Sequence, residues 1–374
     1  MSSDRLKIVH IITSLRIGGA ERLVADMLPR LRDRGHQVEL VVFDGTRTPF
    51  YEQLERQNIK IHSLGFGAAQ MWNPMHLFRL KRYLDRGRFD IVHTHNTPCQ
   101  LLAALAAGKN APILVTTEHN TFNRRRNWQW WAGIDRRMYG KYSHIICVGE
   151  QTRCNLLRRL GEGFDAERIS VVHNGIDLKR YAEATAEASL RERADEGCHI
   201  VAMVAAFREQ KDQPTLIRAM QLLPESYRLW LAGDGVTREE CERLAGELNV
   251  ADRVRFMGFR ADAAAVMASS DVVVLSSHYE GMSLASIEGM ASGKPFIASD
   301  VEGLRDVAEG AGLLFPHEDH KSLAGLVRKV CEDEVFGSEV AARCRERAVR
   351  YDIEDTVSGC EGIYISLEMK RQKQ

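Results

Sequence analysis

Residues 276–293 read SSHYEGMSLASIEGMASG and follow directly on the apolar run Asp271 to Leu275. A short β-branched run of this kind reads as a buried strand. The residues beyond Met282 read as a helix whose first turn is Ser283, Leu284 and Ala285. The first amides of a helix have no intrahelical acceptor and carry partial positive charge, so such a junction is suited to hold a diphosphate. Gly281 lets a ligand approach the backbone closely. Glu280 stands in the loop before the helix and Glu288 on its second turn, with seven residues between them. A carboxylate only accepts hydrogen bonds, so the pair matches vicinal hydroxyls, one glutamate per sugar ring, and repels a bare phosphate.

Working outward, apolar runs alternate with helical patterns along the whole chain, which predicts parallel strands joined by crossover helices. Leu6 to Ile12, Gln37 to Phe43, Ile59 to His62, Ile91 to Thr94, Ile113 to Thr117, His144 to Val148 and Ile169 to Val172 form a first set. A break at Asn174, Gly175 and Ile176, followed by a polar, alanine-rich stretch through Gly197, reads as a linker. A second set follows: Ile200 to Ala205, Leu229 to Ala232, Val254 to Met257, Val272 to Leu275, Pro295 to Ala298 and Gly312 to Phe315. A last helical pattern runs from Ser366 to Gln374. Two such sets predict two doubly wound domains, with ligands at the carboxyl ends of the strands.

At 374 residues the chain exceeds the size of one ordinary core, which agrees with two domains. Lysine plus arginine total 51 and aspartate plus glutamate total 51, so no global field draws the chain to nucleic acid. The eight cysteines show no C-x-x-C pair and no zinc spacing, which fits a reduced, cytoplasmic setting. Nowhere do 18 apolar residues run together.

Other motifs occur in a fixed order around the Glu280 and Glu288 pair: Gly18 and Gly19 in IGGAER, Asn174 to Asp177 as N-G-I-D, Lys211 in REQKD, Ala232 to Gly235, and Val254 to Gly258 in VRFMG. With these the chain resembles, over nearly its whole length, the retaining glycosyltransferases of family 4, which carry an E-x7-E signature. The resemblance implies an α/β GT-B fold: two Rossmann-like, doubly wound domains facing across an interdomain cleft. Residues 1–177 would bind the acceptor, 178–350 the nucleotide-sugar donor, and a C-terminal helix in 351–374 would cross back to the first domain, with a hinge near Gly175. It assigns the donor sugar to Glu280, the ribose to Glu288, and the diphosphate and sugar to the backbone of Gly281, Met282, Ser283 and Leu284. Met257 and Gly258 join the donor site. Lys211 matches the lysine of a cationic pair. The arginine of that pair usually stands five residues earlier, where this chain has Ala206; Arg208, three residues before Lys211, is the nearest candidate. Gly18 and Gly19 would approach the donor phosphates. His119, in Thr117, Glu118, His119, matches a T-x-H histidine that stabilises charge at the reacting carbon or contacts the donor sugar.

The implied reaction transfers a hexosyl or N-acetylhexosaminyl group with retention from a nucleotide-diphosphate donor, most commonly a UDP-sugar. The acceptor is a carbohydrate or a lipid-linked hydroxyl, in surface-polysaccharide or glycolipid assembly. Fixed positive charge at the leaving oxygen is the main catalytic demand; no D-x-D occurs, so neither a metal nor a cofactor is expected. Two alternatives stay open, since fold does not dictate function: an epimerase or hydrolase of the same fold, and a non-catalytic nucleotide-sugar-binding protein, the latter favoured by Ala206.

His93 and His95, two apart on a strand, can face a metal together, but no third ligand is evident and structural roles are preferred. Gly233 and Gly235 lack the third glycine of a dinucleotide fingerprint. Arg124, Arg125, Arg126, Trp128 and Trp130 suit a peripheral contact with the inner face of a membrane, while Trp128, Trp131, Met138 and Tyr142 at helical spacing fit an ordinary core equally well.

Overall fold

The computed structural model describes residues 5–16, 18–65, 73–108, 111–119, 131–191 and 197–373. The segment Arg124 to Trp130 lies outside them. The chain divides into two compact units, Met1–Asn174 with Ile353–Gln374, and Gly175–Asp352.

In the first unit β1 (Lys7–Ile12), α1 (Gly19–Asp33), β2 (Gln37–Val42), α2 (Pro49–Arg56), β3 (Lys60–Ser63), α3 (Met75–Gly87), β4 (Ile91–His95), α4 (Thr97–Ala106), β5 (Ile113–Glu118), α5 (Ala132–Tyr139), β6 (His144–Cys147), α6 (Glu150–Leu160) and β7 (Ile169–Val171) alternate strand with helix. The strands form one parallel sheet in the order β3-β2-β1-β4-β5-β6-β7. Helices on both faces bury the strands, which is why they read as near-continuous apolar runs. Val9, Ile11, Val92, Leu114 and Ile145 lie in one such core with Leu102 and Leu156.

In the second unit α7 (Leu178–Ala182), α8 (Ala188–Arg191), β8 (His199–Val204), α9 (Gln213–Ala219), β9 (Tyr227–Ala232), α10 (Arg238–Glu247), β10 (Val254–Gly258), α11 (Ala263–Ser269), β11 (Val272–Leu275), α12 (Leu284–Ala291), β12 (Phe296–Ser299), α13 (Leu304–Ala308), β13 (Leu313–Phe315), α14 (His320–Glu332) and α15 (Glu334–Ala348) follow. Their parallel sheet has the order β10-β9-β8-β11-β12-β13. The order reverses beside β8 and β11, the strands whose outgoing loops carry Lys211 and Glu280. A switch point of this kind opens a crevice at the carboxyl ends of the strands.

Two expectations need correction. The stretch after Ile176 is not a linker: it forms α7 and α8, and Leu190 joins the core of Ile200, Ala202, Trp230, Ala232 and Val266. The last helix does not begin at Ser366. α16 runs Ile353–Gln372 and belongs to the first unit, where Arg34 bonds Glu354 and Glu361, and where Tyr364 is fully buried. Gly359 fits there because a Cβ would stand 2.9 Å from Val172 Cγ1.

Candidate active site

In the second unit the loops after β8, β11 and β12 are knitted together by backbone groups. Ser276 Oγ donates to Asp212 O at 2.7 Å, the His278 amide donates to Gln210 O at 2.8 Å, and Ser299 Oγ donates to Ser277 O at 2.5 Å. Gln210 Nε2 also donates to Tyr279 O at 2.8 Å. Glu280 is thereby fixed in a buried position, where its carboxylate pairs with the Lys211 ammonium and accepts from Ser277 Oγ at 2.7 Å and from Gln210 Nε2 at 3.4 Å. A buried carboxylate is tolerated only when it is paired and hydrogen-bonded in this way.

Gly303, in the loop after β12, has a left-handed φ of 82°, and a Cβ there would lie 2.4 Å from Gly281 O and 2.5 Å from Glu280 O. Only glycine lets that loop brace the Glu280–Gly281 peptide. Ser283 then stands at the N-cap of α12 in an extended conformation, so the first amides of the helix face outward from its start beside Glu280. Glu288 is half-buried on the second turn of α12.

The first unit loads its strand ends differently. The register pairs His10 of β1 with His93 of β4, and His95 with Thr117 of β5, so these side chains share one face. His10 Nδ1 lies 2.9 Å from His95 Nε2, and His95 Nδ1 lies 2.9 Å from His119 Nε2. His93 Nε2 bonds Thr117 Oγ1 at 2.7 Å, and its Nδ1 bonds the Tyr364 hydroxyl of α16 at 2.5 Å. His10, His93 and His95 are fully buried. Burial lowers all four imidazoles: His10 to about 3, His119 to about 4, and His93 and His95 well below the usual value. Neutral rings share one proton per contact. If His10 donates to His95 and His95 to His119, the orphan at His10 Nε2 is a bare lone pair, which costs less than an unpaired N–H. That arrangement leaves His119 with an Nδ1–H, which can donate but cannot act as a base.

His10 supplies the third imidazole that was not evident beside His93 and His95: their ring nitrogens lie within 4.8 Å of one another. Both nitrogens of His93 and of His95 are already engaged, His93 by Thr117 and Tyr364 and His95 by the rings of His10 and His119, so the relay of rings runs His10–His95–His119.

Of the residues singled out from sequence, Lys211, Glu280, Gly281, Met282, Ser283, Leu284 and Glu288 come together at the β8 and β11 strand ends. Arg208 caps the 3-10 turn Glu209–Lys211 and is exposed. Met257 packs against the Leu190 and Trp230 core, at the edge strand β10. Gly258 O accepts the Gly233 amide at 2.8 Å. Gly233 (φ 147°) touches the β8 loop, where a Cβ would meet Ala205 O at 2.0 Å. Gly18 is the N-cap of α1 and Gly19 its first residue, both in the first unit with His119.

Two family models cover the chain: Glycosyltransferase Family 4 over residues 17–180 and Glycosyl transferases group 1 over residues 186–351. The chain is a family 4 glycosyltransferase. It is 23% identical over 390 residues to an Escherichia coli UDP-Gal:alpha-D-GlcNAc-diphosphoundecaprenol alpha-1,3-galactosyltransferase, covering 98% of this chain and 99% of that one. It is 28% identical over 346 residues to a phosphatidyl-myo-inositol mannosyltransferase of Mycolicibacterium smegmatis, covering 90% and 86%. The solved structure of Anabaena Alr3699/HepE in complex with UDP-glucose superimposes with a TM-score of 0.84 at 22% identity, over 97% of this chain and 100% of that one. The fold is GT-B, and the glycosyltransferase carries its two parallel sheets as the two units described above.

Sequence reasoning on this glycosyltransferase missed His10, Gln210, Ser277 and Gly303. The alternation of His10 with apolar neighbours in KIVHII marks it as inward-facing polar, but nothing local says that β1 lies beside β4. Among the described residues no helix is long and apolar enough to cross a membrane.

Proposed function

We propose that the enzyme transfers a hexosyl or N-acetylhexosaminyl group, with retention, from a UDP-sugar to a carbohydrate or lipid-linked hydroxyl. The setting is polysaccharide or glycolipid assembly at the cytoplasmic face of a membrane. The observation that carries this reading is the pair of half-buried Lys211 and buried Glu280 beside the start of α12, with Glu288 on its second turn. The relatives include a galactosyltransferase named for UDP-Gal and a phosphatidyl-myo-inositol mannosyltransferase, and a neighbour of the same fold holds UDP-glucose.

The bond from the anomeric carbon to the β-phosphate oxygen breaks, and a bond to the acceptor oxygen forms on the same face. The departing phosphate oxygen takes the acceptor proton, so no protein base is required. Negative charge builds on that phosphate, where Lys211, the exposed Arg208 and the first amides of α12 offer fixed positive charge. No step uses a metal or a cofactor. Glu280 and Glu288 accept from sugar and ribose hydroxyls.

Calorimetry with UDP tests the assignment. Glu288→Ala removes two charge-assisted hydrogen bonds to the ribose, an expected loss of about 3 kcal/mol in affinity. Unchanged affinity overturns it. Transfer without inversion, read from the anomeric coupling of the product, tests retention.

A further inference from the structure

The second unit holds another cluster of ligating side chains, beside the donor loop. His278 Nδ1 lies 2.7 Å from His317 Nε2, 3.5 Å from Glu318 Oε1 and 3.9 Å from Asp212 Oδ2. The ligand atoms of His278, His317 and Glu318 all lie within 4.8 Å of one another. Asp212 is buried, and its Oδ2 is left without a hydrogen bond while Oδ1 accepts from the Thr215 amide. A buried carboxylate oxygen with no donor is costly unless a cation meets it. In a tetrahedral zinc site with bonds of about 2.0–2.1 Å, neighbouring ligand atoms stand about 3.3 Å apart, a value that the distances of 2.7, 3.5 and 3.9 Å around His278 Nδ1 bracket. The four residues come from three separate loops, after β8, β11 and β13.

We infer that Asp212, His278, His317 and Glu318 bind one divalent transition-metal ion of the zinc class. Two imidazoles and two carboxylates are a ligand set for zinc, cobalt or nickel rather than for magnesium or calcium, which take oxygen ligands. The ion ties the turn at His317 and Glu318 to the two loops that carry Lys211 and Glu280. Its role is to hold those loops and not to act on phosphate. The proton of the His278–His317 contact lies where the metal must bind, so the donating ring moves its proton to its other nitrogen as the ion enters.

Three measurements on the full chain, stripped with a chelator and without any nucleotide sugar, test this. Titration with cobalt should give the visible bands of a tetrahedral ion, at one equivalent. Zinc should raise the melting temperature. His317→Ala and Glu318→Gln, both at exposed positions, should weaken zinc by about 10-fold or more, while His320→Ala, on the adjacent helix, should bind as the wild type does. Asp212→Asn should do the same as His317→Ala. Octahedral cobalt spectra, or equal affinity in His317→Ala and wild type, overturn the site. Since UDP binding is read separately, failure here leaves the proposed transfer reaction standing.

Discussion

At the ends of β1, β4 and β5 in the first unit a row of polar groups consists of rings without charge, whereas at the ends of β8 and β11 in the second unit the paired groups carry full charges. His10, His95 and His119 pass from one strand to the next by ring-to-ring hydrogen bonds, with burial keeping each imidazole neutral. Across β8 and β11, Lys211 and Glu280 satisfy each other as an ion pair inside a frame of loop hydrogen bonds. The same doubly wound architecture thus supports two kinds of preorganisation. A neutral relay fixes direction, because each ring's tautomer depends on the next. An ion pair fixes potential, as the proposed transfer requires where charge develops on the departing phosphate.

The charged edge should give the largest response. Lys211→Met is expected to lower kcat by about 10²–10³-fold, the range found when one preorganised electrostatic group is removed. It also leaves the Glu280 carboxylate buried and unpaired, costing about 1–3 kcal/mol of stability. Combining Lys211→Met with Glu280→Gln should restore much of the melting temperature and none of the activity. Recovery of transfer in the double variant would show that the pair holds structure and takes no part in catalysis.

How much of this contrast was legible in the sequence depends on sequence distance. The thirteen strands among the described residues correspond to runs recognisable as β-branched and apolar, because parallel strands buried on both faces have no polar side to disguise them. Glu280 and Glu288 were legible too, lying on one strand-loop-helix junction. The short α7 and α8 were not: each contributes a single anchor, Tyr181 and Leu190, too little to make a periodic pattern. The start of α16 was hidden by Gly359 and Gly362 and by a buried stripe that mixes Thr356, Cys360 and Tyr364. The imidazole relay needs β1 beside β4, a pairing across more than eighty residues that no local pattern reports.

The neutral edge predicts a different signature, in pH. His10 and His119 have folded values near 3 and 4, below the unfolded value of about 6.5. Below 6.5 the unfolded chain takes up protons that the folded chain excludes, so stability is complete above that pH and falls as pH drops toward 4. At pH 5 each such buried ring costs about 2 kcal/mol. Melting temperature should therefore fall steeply from pH 7 to pH 5, and His10→Gln should flatten the slope by one group. An equal slope in that variant would mean that the ring already carries its charge in the folded protein.

The smallest effect belongs to a charged cluster that lacks the burial of the Lys211–Glu280 pair. Arg34 of the first unit bonds Glu361 at 2.7 Å, Glu354 at 2.6 Å and Ser358 Oγ at 2.9 Å, and Arg30 shares Glu354 at 2.9 Å. Glu354 is half exposed, so water and salt screen what the geometry offers. Arg34→Met keeps most of the apolar stem over α16 and should cost about 0.5–1 kcal/mol, most of it gone at high salt. Melting curves at low and high ionic strength distinguish the sources. A loss that persists in salt would place the contribution in stem packing and in the bond to Ser358. A loss as large as that of Lys211→Met would mean that charge at a solvent-facing helix seam counts as much as charge inside a closed loop frame, and the contrast between the two strand edges would no longer rest on burial.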